Sequence, residues 1–383
     1  MKHCKILIVT TVPETLSTIL ANQPEYLNRF FSVYLSSSEG IQVDHIMRRE
    51  RVPFFSVNMK RGISPFSDLF SIFRMCKLLL KLKPDVVHSY TPKAGMIVMV
   101  SSFICRVPVR VHTFTGLIFP TQVGVKKALL INIDRLICRC ATRIIPEGEG
   151  VKNDLISHRV TDKKLSVIGS GNIAGVNLDF FDPDNCSVMH ESSLLALSLK
   201  LPEESFVFCY IGRLNKDKGL KELGKAFLLL PDSAHVLVVG GWDPGNPVDS
   251  ETYSLFKQHK RIHLLGFKDD VRSVLKLSHA LVLPSYREGF PNVVLQAGAM
   301  AKPAVVTNVS GSNEIIEDGI NGWIAEPRDV HALQVAMLNA MKESSENLAS
   351  MGRISRLRIA QRFEQTAHWE RMKAFYSQEL KLD

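Results

Sequence analysis

The sequence predicts two tandem doubly wound α/β domains, each built on a parallel β-sheet that is covered by helices on both faces. Three observations indicate this fold class. Short apolar runs alternate with longer helical patterns, as they do in βαβ units. The alternation breaks at residues 169–205, where Gly and Pro are frequent, and then starts again. The length of 383 residues fits two or three domains of ordinary size.

The individual elements follow this alternation. In the first half, strands are predicted at residues 5–10, 85–89, 110–113, 143–145 and 165–168, and a helix at 66–83. In the second half, strands are predicted at 206–211, 235–239, 262–265, 280–283 and 304–307, and helices at 220–229, 271–277, 291–300, 330–342 and 366–381. We place the domain boundary near residue 175 and expect ligands in the cleft between the carboxyl ends of the two sets of strands.

Composition limits the class of protein. Apolar residues make up 45% of the sequence and charged residues 22%, as in soluble globular enzymes. Residues 6–9 are too short a run for a secretory signal, and no run reaches about 18 apolar residues, so no signal peptide and no transmembrane helix are expected. The seven cysteines are scattered without a CxxC pair, which favours reduced thiols in a cytoplasmic protein.

Charge is distributed unevenly along the chain. Residues 1–175 contain 24 Lys and Arg against 12 Asp and Glu, a balance of +12, whereas the rest contains 23 against 26, a balance of −3. Such asymmetry indicates that the first half faces an anionic partner. Nucleic acid, an anionic membrane surface and a phosphorylated lipid are the candidates.

A basic loop in the second half predicts a phosphate site. Residues 210–220, YIGRLNKDKGL, place Arg213 and Lys218 between the end of a strand and the start of a helix. Cations beside a helix N-terminus suit a diphosphate. A solvated basic loop is the alternative, and the position at a strand end favours phosphate. The sequence has neither a Walker loop nor a GxGxxG motif.

An acidic loop follows another predicted strand. In residues 284–298, PSYREGFPNVVLQAG, Pro291 suits the first helical position, so the N–H groups of residues 292–294 would point toward the strand ends. Glu288 lies just before this helix. A carboxylate beside a phosphate is unfavourable unless it accepts hydrogen bonds from neutral donors such as sugar hydroxyls. The two loops together favour a nucleotide sugar over an acid that only complements the helix dipole.

These motifs resemble a known family. Arg213 with Lys218, followed by Glu288 in EGFPNVVLQA, resembles the retaining GT-B glycosyltransferases of family 4. The segments VHTFTGL, at residues 111–117, and GSGNIAGVNLDFF, at 169–181, are similar to the branch that builds bacterial surface polysaccharides on undecaprenyl diphosphate. The resemblance covers nearly the whole chain and rests on the order and spacing of these motifs.

The resemblance implies a GT-B fold with a nucleotide-sugar donor domain at residues 176–365. Residues 1–175 would form the acceptor and membrane side, with the helix of residues 366–383 packing back on it. The implied activity moves a hexose or N-acetylhexosamine from a UDP-sugar to a lipid-diphosphate-linked saccharide, such as an undecaprenyl-diphosphate-linked glycan in lipopolysaccharide or capsule assembly. The implied location is the cytoplasmic side of the cell membrane, with the protein peripherally attached.

The resemblance also implies roles for matching residues. Arg213 and Lys218 would hold the donor diphosphate, and Asn292 and Val293 would offer it backbone N–H groups. The family has two glutamates eight residues apart, and the second position here is Gln296, which would contact ribose. Glutamine accepts a hydrogen bond without carrying charge, so weaker donor binding is expected.

The sugar and base of the donor would meet other residues. Glu288 would bind hydroxyls of the transferred sugar, within a motif that includes Gly289 and Phe290. The strand end near Phe267 would meet the base, uracil, through backbone groups. His112 would lie under the donor sugar, and its predicted position at a strand end favours this role over that of an ordinary core histidine.

The expected chemistry needs no cofactor and no metal. Retention without an obvious nucleophile suggests front-face attack, in which the leaving diphosphate takes the acceptor proton and the protein supplies positioning and charge stabilisation. No Asp-x-Asp pair follows a predicted strand, and the aspartates at 269 and 270 are interpreted as a helix cap. Metal-independent transfer is therefore predicted.

The acceptor side is predicted from a basic helix at residues 126–143. Its apolar residues recur at helical spacing beside four further cations, a pattern that suits anionic lipid. An ordinary helix packed on the sheet is the alternative, and the +12 balance favours membrane contact. Arg61 and Lys93 are placed in loops that would reach an acceptor diphosphate.

Other function classes compete with this reading. A nucleic-acid-binding module would explain the basic half, but no RNA-binding or helix-turn-helix signature is visible, so no nucleic-acid partner is expected. A non-catalytic sugar-nucleotide-binding protein is permitted by Gln296. A UDP-sugar epimerase of the same fold would act without an acceptor. Donor turnover with and without acceptor therefore separates the glycosyltransferase, the sugar-nucleotide-binding protein and the epimerase.

Overall fold

The computed structural model of the protein describes residues 4–60, 62 and 64–382. The chain divides into two compact units. The first unit runs to Gly175 and takes in the chain again from Gln365, and the second unit is Val176–Glu364. In the described residues each unit contains one six-stranded parallel sheet, which confirms the predicted fold class.

The sheet of the first unit has the strand order β3-β2-β1-β4-β5-β6. Its strands are β1 (Lys5–Val9), β2 (Ser32–Ser37), β3 (Phe54–Ser56), β4 (Val86–Tyr90), β5 (Val109–Phe114) and β6 (Arg143–Pro146). The helices are α1 (Gln23–Asn28), α2 (Val43–Glu50), α3 (Pro65–Leu82), α4 (Pro92–Ile104), α5 (Gly124–Cys140) and α6 (Glu149–Ser157). The central strand β1 is buried from Ile6 to Val9, as expected for a parallel sheet covered on both faces.

The sheet of the second unit has the order β12-β11-β10-β7-β8-β9. Its strands are β7 (Phe206–Ile211), β8 (Ala234–Val239), β9 (Ile262–Gly266), β10 (Ala280–Leu283), β11 (Ala304–Thr307) and β12 (Gly322–Ala325). The helices are α7 (Cys186–Leu199), α8 (Leu220–Leu228), α9 (Ser250–Gln258), α10 (Arg272–Leu277), α11 (Asn292–Ala299), α12 (Ser312–Ile315), α13 (Val330–Lys342) and α14 (Ser345–Arg362). Strands β7 and β10 lie side by side at the centre, so the loops that follow them leave the same edge of the sheet.

The helix α15 (Gln365–Glu379) completes the first unit. Its Tyr376 is fully buried, and the phenol oxygen lies 2.6 Å from Nδ1 of His88 in β4. The other ring nitrogen of His88 lies 2.7 Å from Oγ1 of Thr113 in β5. Burial lowers the pKa of His88 well below its usual value, so this imidazole is neutral at pH 7. The helix is thus fixed to the sheet by a buried polar network.

Two predicted elements of the first unit were wrong in detail. The strand predicted at 165–168 is a loop in which Leu165 makes one isolated bridge to Ile144 at the edge of the sheet. The helix predicted at 126–143 ends at Cys140, and Arg143 already belongs to β6. Ile137 and Cys140 on the apolar side of α5 are buried, because the helix packs against α4 and β5. This buried side therefore fits the alternative of an ordinary helix packed on the sheet.

Within the described residues, no helix combines the length and the apolar character that crossing a bilayer requires.

Candidate active site

Two loops at one edge of the second sheet lie in direct contact. The first follows β7 (residues 212–219) and the second follows β10 (residues 284–291). Gly219 caps α8 with a φ of +66°, and a Cβ at this position would lie 2.0 Å from the carbonyl oxygen of Pro284. Only glycine allows this backbone conformation together with this approach. The two motifs found in the sequence therefore form one site.

Lys218 and Glu288 pair across these loops. The Nζ atom of Lys218 lies 2.5 Å from Oε1 of Glu288, and the two side chains are only 19% and 11% exposed. From the sequence, Glu288 was expected to bind sugar hydroxyls and Lys218 a diphosphate. The structure pairs the two with each other, which satisfies a carboxylate that would otherwise be desolvated without a cation.

Arg213 has a different acidic partner. Its Nη1 atom lies 3.0 Å from Oδ2 of Asp243, which also accepts a hydrogen bond from Nδ2 of Asn215 at 3.1 Å. Arg213 is mostly exposed, and its carbonyl oxygen accepts a bond from the hydroxyl of the buried Tyr210. Sequence reasoning missed Asp243, although it follows β8, the strand next to β7. Asp243 could have been found by listing the charged residues that follow each predicted strand, because such residues meet at one edge of a parallel sheet.

Three further contacts hold the two loops in place. Arg287 donates to Asp217 at 2.9 Å, and the Tyr286 N–H donates to the Asp217 carbonyl at 2.8 Å. The Tyr286 hydroxyl donates to Glu222 at 2.5 Å, and burial together with this carboxylate raises the pKa of Tyr286. These contacts fix the backbone of the two loops that carry Lys218 and Glu288.

The helix α11 begins one residue later than predicted. Pro291 is the N-cap, not the first helical residue, and its carbonyl accepts the Val294 N–H at 3.0 Å. This bond removes Val294 from the predicted phosphate donors. Asn292, Val293 and Gln296 are half-buried, and the spacing of three and four residues puts them on one face of the helix.

The remaining residues of the second unit have distinct surroundings. Phe267 follows β9 directly and is 75% exposed, at the predicted strand end. Phe290 is buried, with its ring 5.3 Å from that of Phe363, so its side chain belongs to the core of the unit. The carbonyl oxygen of Gly289 faces Gly311, and a Cβ added at Gly311 would lie only 2.2 Å from that oxygen.

His112 lies inside β5 and is fully buried, so its predicted position at a strand end was wrong. Its Nδ1 atom lies 2.8 Å from Oγ of Ser89, whereas Nε2 has no hydrogen-bond partner among the described residues. Burial lowers the pKa of His112 to about 3, so the ring is neutral at pH 7. Gly95 makes room for it, because a Cβ there would lie 2.4 Å from the ring.

The predicted acceptor residues were not placed as expected. Lys93 was expected in a loop, but it is the second residue of α4, and its Nζ lies 2.8 Å from both carboxylate oxygens of Asp68. Both side chains are largely buried. Lys93 therefore already has a buried counter-ion in Asp68. Arg61 lies outside the described residues.

No metal centre is visible in the part of the chain that the structure describes. There, no group of three or more His, Cys, Asp or Glu side chains is arranged to hold a metal ion. Asp270, which the sequence analysis interpreted as a helix cap, pairs with Arg272 at 2.6 Å, next to the start of α10.

Comparison with solved structures gives the fold class. HepE from Anabaena, in complex with UDP-glucose, superposes with a TM-score of 0.81 at 20% identity, covering 98% of this chain and 100% of that one. Sucrose-phosphate synthase from Thermosynechococcus elongatus gives a TM-score of 0.78 at 17% identity, with both chains fully covered. At such identities the similarity shows the fold, which is that of the GT-B class.

Comparison of sequences gives the family. A model of glycosyl transferases group 1 matches residues 196–358, and a model of the glycosyl transferase 4-like domain matches residues 25–171. The capsular polysaccharide biosynthesis glycosyltransferase CapM of Staphylococcus aureus is 31% identical, covering 100% of this chain and 99% of that protein. The UDP-Gal:alpha-D-GlcNAc-diphosphoundecaprenol alpha-1,3-galactosyltransferase of Escherichia coli is 30% identical, covering 84% and 83%. The chain belongs to this family of group 1, 4-like glycosyltransferases.

Proposed function

We propose that the protein is a retaining glycosyltransferase that moves a hexose or N-acetylhexosamine from a UDP-sugar to a lipid-diphosphate-linked saccharide, in the assembly of O-antigen, capsule or a related glycan. The contact between the Lys218 loop and the Glu288 loop carries the proposal, because it gathers two cations and a carboxylate at one sheet edge. The E. coli relative is named for a UDP-sugar donor and a diphosphoundecaprenol-linked acceptor, which supports the same substrate classes here.

In this reaction the bond between the anomeric carbon and the diphosphate breaks on the face where the acceptor oxygen attacks. The new glycosidic bond forms on that same face, which preserves the configuration. The electron pair of the broken bond stays on the diphosphate, and the acceptor proton passes to a diphosphate oxygen. Arg213 and Lys218 then stabilise the negative charge that develops on the leaving group.

Donor binding would rearrange the Lys218–Glu288 pair. A diphosphate competes with Glu288 for the ammonium group of Lys218, and sugar hydroxyls replace part of what Glu288 loses. The pair thus keeps both groups desolvated and in place before the donor arrives, which lowers the reorganisation needed in the reaction.

His112 would take part as a neutral hydrogen-bonding group. Its Nε2 atom is buried without a partner among the described residues, and such atoms usually have one. With a pKa of about 3 the ring stays uncharged at pH 7, so it carries no proton in the transfer.

The direct test is turnover of a panel of UDP-sugars with a short-chain isoprenyl-diphosphate glycan as acceptor. A glycosylated acceptor with the donor's anomeric configuration is expected. Binding of UDP without any turnover would favour the non-catalytic sugar-nucleotide-binding protein instead, and conversion of the donor sugar without acceptor would favour an epimerase.

Replacing Gln296 by Glu is expected to tighten UDP binding several-fold. A charged hydrogen bond to a ribose hydroxyl exceeds a neutral one by about 1 kcal/mol. The effect should appear in KM for the UDP-sugar more than in kcat, because ribose is held alike in the ground and transition states. Titration of UDP against both proteins measures it, and equal affinities would remove Gln296 from the ribose site.

Transfer is expected to persist in excess EDTA, because we assign stabilisation of the leaving group to Arg213 and Lys218. The initial rate of transfer is measured after chelation and again after Mn²⁺ or Mg²⁺ is added back. A rate that collapses with EDTA and returns with Mn²⁺ would contradict the metal-independent mechanism.

A further inference from the structure

Helix α3 carries an apolar face that no other part of the described chain covers. Its inner side packs into the core through residues that include Met75, Leu79 and Leu82. On the opposite side, Phe66, Leu69, Phe70, Phe73 and Leu80 are between 62% and 87% exposed, and we call these five residues the α3 face. Single exposed apolar residues are ordinary, but five on one side of one helix mark an interaction surface.

The geometry of the helix makes this surface continuous. With about 100° between successive residues, the five side chains fall within an arc of about 100°. Lys77 falls within the arc, and Arg74 and Lys81 lie along one border of it, all three exposed. The only acid in the helix is Asp68, on the buried side and paired with Lys93. The α3 face is therefore apolar and cationic, without a carboxylate of its own.

The start of α5 extends the same character. Val123 and Val125 are 85% and 87% exposed, and Lys126 follows them. Helices α3 and α5 both pack against α4. They follow the parallel strands β3 and β5, so both begin near the carboxyl edge of the sheet, where α/β domains bind ligands. Apolar side chains thus stand on both sides of α4 at that edge.

We infer that the α3 face, together with the start of α5, docks the protein on an anionic lipid bilayer. The phenylalanine rings insert at the boundary between headgroups and acyl chains, and Arg74, Lys77 and Lys81 contact anionic headgroups. The inference deepens the proposed function, since a lipid-linked acceptor lies in such a bilayer, and it adds the α3 face to the helix at residues 126–143 that the sequence suggested as the contact.

Charge complementarity favours lipid over a second copy of the chain. In a two-fold symmetric dimer this face would meet itself, so the cations at positions 74, 77 and 81 would approach their own copies without an acid on the helix to balance them. Anionic headgroups supply the missing negative charge, and the acyl boundary accepts the aromatic rings.

Co-sedimentation with vesicles tests the inference. The wild-type protein is mixed with vesicles of phosphatidylglycerol and phosphatidylcholine, or of phosphatidylcholine alone, over a range of salt concentrations. Binding to the anionic vesicles is expected to weaken as salt rises, because headgroup contacts are screened, and to keep a salt-resistant part from the inserted rings. Absence of binding to anionic vesicles would overturn the inference.

Two variants locate the surface. Phe70→Ser with Phe73→Ser is expected to lower vesicle affinity by about tenfold or more and to abolish the salt-resistant part. Lys77→Gln with Lys81→Gln should weaken binding mainly at low salt. The matched control is Leu197→Ser with Leu357→Ser, two comparably exposed leucines of the second unit, and should bind as wild type. Equal binding by the phenylalanine variant would overturn the inference.

Three further measurements separate the alternatives. All variants should keep the wild-type melting temperature, because the changed side chains are exposed. Analytical ultracentrifugation showing a dimer that the phenylalanine variant dissolves would overturn the inference in favour of a self-association face. Transfer to a detergent-dispersed short-chain acceptor should be unchanged in that variant. If the wild type lacks such transfer but binds vesicles, the proposed function fails while the surface stands.

Discussion

Replacing Lys218 by Ala is expected to lower kcat/KM for the UDP-sugar by about 10²-fold or more. The loss of one preorganised donor to a developing anion has effects of this size. The substitution also leaves the Glu288 carboxylate, which is only 11% exposed, without its cation beside the incoming phosphates. Steady-state kinetics with saturating acceptor measure the change.

Two companion variants make the result specific. Lys216→Ala removes an exposed cation two residues away and should leave kcat/KM near the wild-type value. Lys218→Ala combined with Glu288→Gln removes the unpaired charge, so it should recover thermal stability without recovering activity. Wild-type kinetics in Lys218→Ala, or recovered activity in the double variant, would contradict a direct role for Lys218 at the leaving group.

Replacing Gly219 by Ala is expected to raise the dissociation constant of UDP by about tenfold and to lower the free energy of unfolding by about 1–3 kcal/mol. A non-glycine residue at a φ of +66° is strained. Its Cβ would also lie 2.0 Å from the Pro284 carbonyl oxygen, so the loops after β7 and β10 must separate. Separation moves Lys218 away from Glu288 and opens the site that holds the diphosphate.

Gly241→Ala is the matched control for this glycine. A Cβ there has no described atom within 4 Å, and Gly241 is not among the glycines of positive φ. It follows β8 at the same edge of the sheet, so its UDP affinity and melting temperature should stay near the wild-type values. Thermal unfolding and UDP titration report both quantities. Unchanged UDP binding by Gly219→Ala would show that the loop contact does not shape the donor site.

The strands that sequence predicted well are the buried ones. The strand predicted at 206–211 matches β7 residue for residue, and β10 and β11 were also correct, because a strand buried on both faces is a continuous apolar run. The missed strands have weaker patterns. β2 ends in serines, β3 has three residues, and β12 is the four-residue edge strand. Their pairing is set by neighbours that are distant in sequence.

The site was predictable in its components but not in its pairings. Strand-end position alone placed Arg213, Lys218 and Glu288 at one edge of a sheet. The ion pairs Lys218–Glu288 and Arg213–Asp243 depend on which strands are neighbours and on side-chain rotamers, which a single sequence does not specify. For Lys93 the signal was present, because Pro92 is typical of a first helical position and marks the start of α4.

The return of α15 to the first unit makes that unit discontinuous in sequence. Tyr376 and Met372 are buried in its core, and Tyr376 contacts His88 on the central part of the sheet. During synthesis, the ribosome must therefore complete the whole second unit before the first can close its core. Until then, the surface that α15 will cover stays exposed on the nascent chain. The second unit can therefore fold while the first still lacks its final helix.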